Sequence, residues 1–157
     1  MEIRRAEPAD ADALTRIAFA AKGHWGYPER WMERWRGALI VTPTFIRRSE
    51  VHVATIEKEP AGFYALVGRG QRRELEHLWV LPEQMGMGLG RALFDHALDR
   101  AAAQGAEILE IEADPNAEGF YLRMGATRVG EIVYELEGQE RVLPLLTVNL
   151  QADKLTG

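Results

Sequence analysis

Gly86, Gly88 and Gly90 stand at alternate positions in the run Met85-Gly86-Met87-Gly88-Leu89-Gly90-Arg91. Directly after them Leu89, Ala92, Leu93, Ala97 and Ala101 recur at the spacing of one helical stripe. Glycine lets a backbone turn sharply and approach a ligand closely. The first N–H groups of a helix have no partner within it, and that end carries about half a positive charge. Together these features make an anion site, most often for phosphate. The common phosphate fingerprints do not fit. No Gly-Lys-Ser/Thr triplet follows at P-loop spacing. The dinucleotide pattern G-x-G-x-x-G ends on Arg91 when started at Gly86 and on Leu93 when started at Gly88.

Acid–base chemistry has three candidates just upstream, Glu74, Glu76 and His77. Period two puts Glu74 and Glu76 on one strand face with Leu78 and Val80, and Leu75, His77 and Trp79 on the other. Carboxylates on the Leu/Val face of a buried strand are expected only when paired or functional. Arg69, Arg72 and Arg73 are the pairing partners within reach in sequence. His77 has the intrinsic pKa of a base near neutrality. Farther on, Asn116 reads by itself as a helix cap and Tyr121 as a half-buried packing residue. The loop Gly23-His24-Trp25-Gly26-Tyr27-Pro28 joins two breakers to three large rings. It reads as a hydrophobic plug or as a pocket wall, with His24, Trp25 and Tyr27 facing a ligand in the second case. Trp31 and Trp35 are expected in the core, Met85, Met87 and Met124 in packing, and His52 and His96 in no particular role. No spacing of His, Asp or Glu suggests a metal site, and there is no cysteine.

The elements that position these residues follow from periodicity and breakers. Glu2 to Arg5 is a strand, and a helix runs from Pro8 to about Ala21. A second helix spans Pro28 to Leu39, and Thr42-Pro43 caps a short third one through Arg47. Val51 to Glu57 and Ala61 to Val67 form a hairpin joined near Lys58-Glu59-Pro60. Glu74 to Leu81 is a strand, followed by the glycine run and a helix that Gly105 closes. Ile108 to Ala113 is reached by a helical crossover and so lies parallel to Glu74–Leu81. Asn116 is placed to cap a helix over Ala117 to Met124, and Thr127 to Tyr134 pairs with Leu143 to Leu150 around Glu137-Gly138. The order is β-α-α-α-β-β-β-α-β-α-β-β.

This order, with the sequence Leu-Trp-Val-Leu-Pro ahead of the glycine run, resembles the GNAT superfamily of acyl-CoA-dependent N-acetyltransferases from end to end. Their pyrophosphate loop reads Gln or Arg, two residues, Gly, one residue, then Gly or Ala. Gly88 and Gly90 match it, and Met85 departs from the usual Gln or Arg. Asn116 to Ala126 is similar to a second family segment, with the Asn, the Phe120-Tyr121 pair and Gly125 in place and Ala126 where Phe is usual. The resemblance implies an α/β fold, a mixed sheet of about seven strands with helices on both faces, splayed between the fourth and fifth strands. It implies acetyl-CoA as donor. The backbone of Met85, Gly86, Met87, Gly88, Leu89, Gly90 and Arg91 would hold the pyrophosphate. Leu78, Trp79, Val80 and Asn116 would hold the pantetheine arm. Tyr121 would give a proton to the departing thiolate, and Glu74 occupies a position where several members carry their base. Glu76 and His77 stay open as alternatives. A lysine-like amine is neutral at pH 7 only at a cost of roughly 4.6 kcal/mol, which is why a base is expected.

The chain has 157 residues, enough for one well-cored domain, and that is the expected organisation. A net charge of -5 argues against nucleic acid and anionic membranes as partners. No signal-like or membrane-spanning apolar run is present, so a cytoplasmic location is expected. The acceptor is expected to be a small-molecule or peptide amine, attacked directly in a ternary complex with no metal, by a monomer or homodimer. A non-catalytic acyl-CoA-binding or sensing module on the same fold is the alternative. A nucleotide-binding α/β domain of another family is a weaker one.

Overall fold

The structure is a computed structural model and describes residues 1–151. Strand β1 (Glu2–Arg5) leads through a 3-10 turn to helices α1 (Ala11–Gly23), α2 (Glu29–Leu39) and α3 (Pro43–Arg48). Strands β2 (Glu50–Ile56), β3 (Glu59–Val67) and β4 (Arg72–Val80) follow, then α4 (Leu89–Ala103). The chain continues through β5 (Ile108–Glu112), α5 (Glu118–Arg123), β6 (Thr127–Leu136) and β7 (Gln139–Asn149). The sheet has seven strands in the order β1-β2-β3-β4-β5-β7-β6. β4 pairs β5 in parallel, while β1–β2, β2–β3, β5–β7 and β6–β7 pair antiparallel. The mixed sheet and the element order are those expected.

Local chemistry explains where the elements begin and end. The Thr42 hydroxyl accepts from the Phe45 N–H at 3.0 Å with Pro43 in the first helical position, the cap read from sequence. Glu137 and Gly138 both have positive φ, 53° and 79°, giving the primed hairpin turn between β6 and β7. The β2–β3 turn is of the same kind but uses Glu57 and Lys58, at φ 51° and 70°, with Ile56 opposite Glu59. It therefore lies ahead of the expected Lys58-Glu59-Pro60. Asn116 is not the α5 cap. It belongs to a 3-10 turn (Pro115–Ala117) in which Asp114 accepts from the Asn116 N–H at 2.8 Å.

The described chain divides into two compact units. The first comprises Met1–Leu66 and His77–His96. Its core joins Leu14, Ile17, Leu39, Val41, Ile46, Val51, Val53 and Phe63, drawn from α1 to α3, β2 and β3. Trp31 and Trp35 are half-buried, and of the two Trp35 packs against this core. Trp31, Trp35 and Tyr27 also form a ring cluster, with Lys22 Nζ 4.2 Å from the Trp35 ring centre. His52 and His96 are far from incidental. The His52 ring stacks on Tyr64 and binds Glu50 at 2.5 Å, and the Tyr64 hydroxyl meets His96 Nδ1 at 2.7 Å. The second unit comprises Val67–Glu76 and residues from Ala97. Its buried side chains include Ala97, Ala101, Leu109, Ile111, Tyr121, Leu146 and Leu150. Along α4 the expected stripe Leu89, Leu93, Ala97 and Ala101 is buried, joined by Phe94, while Ala92 is half-buried.

Candidate functional site

In the first unit, a 3-10 turn (Pro82–Gln84) after β4 delivers the chain to the glycine run. Gly86 and Gly88 have φ of +79° and +85°, and a Cβ at either would meet nothing within 4 Å. Backbone conformation, not space, calls for glycine there. Hydrogen bonds close off both sides of the run: Met85 N–H donates to Pro82 O at 3.2 Å and Ala92 N–H to Gly88 O at 3.0 Å. The chain turns through residues 85–88 before α4 begins at Leu89, and the first N–H groups of that helix have no acceptor within it. Buried Leu89 pins the start of α4, so these donors are presented from a fixed helix end. Met87 is 70% exposed, contrary to the packing role expected of it. Met85 and Met124 are half-buried.

β4 corrects one expectation about its faces. Leu75 and His77 are the buried residues, Glu74 is half-buried, Glu76 exposed, and Leu78, Trp79 and Val80 half-buried. The carboxylates therefore lie on the more open face, Glu76 in solvent and Glu74 partly withdrawn from it. His77 is enclosed by Phe45 and Phe63, with ring centres 5.7 and 5.6 Å away. Its Nδ1 accepts from Trp79 Nε1 at 2.9 Å, and burial pushes its pKa down to about 4. An imidazole with Nδ1 so engaged carries its proton on Nε2 and has no lone pair left to act as a base.

In the loop between α1 and α2, His24 and Trp25 are exposed while Tyr27 turns edge-on to Trp35 at 4.8 Å. The loop thus divides its three rings between solvent and α2.

In the second unit, the parallel ladder registers Arg72, Arg73 and Glu74 with Ile108, Leu109 and Glu110. Arg72 pairs with Glu110 at 2.8 Å, and the Arg73 guanidinium binds the Val67 carbonyl and Gln104. Among the described residues no ion pair engages Glu74 or Glu76. Burial, and then the charges of Glu76, Glu112 and Glu110, raise the Glu74 carboxyl above the usual carboxylate range. Tyr121 is buried, and burial together with Asp114 keeps its phenol protonated well above neutrality. Asn116 is exposed, with its side-chain amide donating to Asp114 at 3.0 Å. Asp114 thus touches both the turn and the phenol's electrostatics, a role that the sequence analysis does not assign it. The Asp-Pro-Asn run was the available signal. Among the described residues no group of His, Asp and Glu is disposed to hold a metal ion.

Comparisons with known proteins agree on one family. Residues 40–138 match the acetyltransferase (GNAT) domain family. The chain is 31% identical over 105 residues to the peptidyl-lysine N-acetyltransferase YjaB of Salmonella typhimurium, covering 66% of this chain and 67% of that one. An uncharacterised N-acetyltransferase of Archaeoglobus fulgidus is 29% identical over 120 residues, with 71% and 80% covered. Among solved structures, a GCN5-related N-acetyltransferase from Rhodopseudomonas palustris superposes with a TM-score of 0.78 at 24% identity, with 94% of each chain covered. The PaiA N-acetyltransferase of Thermoplasma acidophilum, solved with coenzyme A, gives 0.75 at 20% identity, over 94% of this chain and 98% of that one.

Proposed function

From the premise that the chain belongs to the GNAT acetyltransferase family, we propose that it transfers the acetyl group of acetyl-CoA to a primary amine of a peptide or small molecule. The observation that carries this reading is the turn of positive-φ glycines, Gly86 and Gly88, that leads directly into the N-terminus of α4. A pyrophosphate is the ligand such a turn fits, with both negative charge and several acceptor oxygens. Leu78, Trp79, Val80 and Asn116 are the residues proposed for the pantetheine arm, through backbone hydrogen bonds in the manner of an added strand. Acetyl-CoA supplies an activated thioester. The chain's residues supply positioning and proton transfer. The ammonium loses one proton to solvent, Glu74 or Glu76 takes the second as the nitrogen bonds to the acetyl carbon and the C–S bond breaks, Tyr121 gives its proton to the leaving thiolate, and the carboxyl's proton returns to the tyrosinate through solvent. No side chain is proposed as a covalent carrier, so donor and acceptor must be bound together.

The likeness to a peptidyl-lysine enzyme supports a lysine side chain as acceptor, and His24, Trp25 and Tyr27 are proposed to line its path. The working form is a single domain, since β4 and α4 each run through both units. It acts in the cytoplasm as monomer or homodimer without a metal. Among the described residues no helix is long and apolar enough to cross a membrane. Thiol release from acetyl-CoA, followed against lysine peptides and small amines, tests the proposal. Amine-dependent release with intersecting initial-velocity lines supports it. Binding of acetyl-CoA with no turnover on any amine returns the reading to a sensing module.

A further inference from the structure

We propose that His77 is a positioning residue: by accepting the Trp79 indole N–H it holds the outer half of β4 extended, so that Leu78 to Val80 are ready for the acyl-CoA arm. This inference rests on the reading of that stretch as the acyl-CoA strand.

Three observations point the same way. The ladder between β4 and β5 registers only Arg72 to Glu74, so the strand's later residues draw no support from it. What supports them is β3 and the strand's own side chains. The Leu81 N–H donates to Ala61 O at 2.9 Å, and a Cβ on Gly62 would lie 2.9 Å from the Trp79 carbonyl, so β3 lies close against the backbone here. His77 and Trp79 are two residues apart on one face, and their bond of 2.9 Å closes only while Leu78 between them stays extended. The imidazole is itself fixed, 7% exposed and set between Phe45 and Phe63. A fixed acceptor at Nδ1 fixes the indole, and the indole fixes the backbone that carries it. Because burial keeps this imidazole neutral at physiological pH, the acceptor is always present.

The experiment compares wild type, His77→Leu and His77→Asn by amide hydrogen exchange over residues 77–81 without ligand, by acetyl-CoA affinity, and by the pH profile of turnover. Asn offers an oxygen where Nδ1 was, and Leu offers nothing. The Leu variant is expected to exchange about fivefold faster over these residues and to bind acetyl-CoA about fivefold more weakly, the size of one lost hydrogen bond. His77→Asn is expected to restore both, and both variants are expected to keep the wild-type pH profile. Trp79→Phe, which deletes the donor and keeps a smaller aromatic ring, is expected to reproduce the Leu variant and replaces it should that variant not fold. Unchanged exchange, or faster exchange with unchanged affinity, overturns the inference. Loss of the acid limb of the pH profile in His77→Asn also overturns it, and makes His77 a base. A wild type that does not bind acetyl-CoA overturns the underlying reading as well, whereas a binding wild type with indifferent variants overturns this inference alone.

Discussion

Glu74 and His77 lie three residues apart on one strand, and burial moves both toward their neutral forms. It raises the carboxyl and lowers the imidazole. For an amine acetyltransferase the first shift is useful and the second removes a candidate. A carboxylate of raised pKa is a better proton acceptor near neutrality than an ordinary one. Glu74→Gln or Glu76→Gln is expected to lower the rate most at low pH, where neutral amine is scarcest. A pH profile of kcat/KM unchanged in both single variants and in the double variant contradicts this. Tyr121→Phe removes a hydroxyl and keeps the ring, so acetyl-CoA affinity and stability should hold. Turnover should fall by about 10²-fold or less, with acceptor KM unmoved, since the CoA thiolate leaves readily. A Phe variant as fast as wild type in the chemical step makes Tyr121 a packing residue. His52 carries a prediction on stability. Burial holds its pKa below the usual 6.5, against the pull of Glu50 at 2.5 Å and with repulsion from His96 and Arg5. The unfolded chain therefore takes up this proton first as pH falls, and stability present above about pH 6.5 is lost below it. Thermal unfolding at pH 7 and pH 5 should show a smaller loss in His52→Phe, which keeps a ring against Tyr64. Equal losses in both proteins contradict it.

At the scale of elements, two glycines make opposite predictions from the same substitution. Gly62→Ala places a Cβ 2.9 Å from the Trp79 carbonyl, a backbone atom that cannot step aside, and should cost about 1–3 kcal/mol in denaturant unfolding. Gly37 lies exposed in α2 with nothing within 4 Å of a new Cβ, so Gly37→Ala should stabilise by about 0.5–1 kcal/mol. The sequence made some elements plain and hid others for physical reasons. The Thr42-Pro43 cap and the Glu137-Gly138 turn were legible because the residues that make them are the residues such sites demand. The Glu57-Lys58 turn was hidden, because nothing about Glu and Lys advertises a positive φ. Asn116 looked like a cap, but Asp114 two residues earlier already serves that turn. The helical spacing of Trp31 and Trp35 was real, yet it could not say that both would be only half-buried, with Trp35 packed against the core.

For the molecule as a whole, element order and the glycine run could be read because both are local in the chain. The fate of the strand carboxylates could not, since it depends on where Arg72 and Arg73 turn. They turn to Glu110, Val67 and Gln104, partners from other segments. The glycine run and the His77–Trp79 pair lie in the first compact unit, and Glu74, Glu76, Asn116 and Tyr121 in the second. Acetyl-CoA bound through the glycine run is therefore the claim on which the rest depends, and calorimetric titration of acetyl-CoA into wild type and Gly88→Val tests it most directly. Valine at φ +85° is both strained and branched where the donors face the ligand. The predicted result is a folded variant whose affinity is weaker by at least about tenfold, near 1.4 kcal/mol. A folded variant that binds acetyl-CoA as tightly as wild type contradicts it.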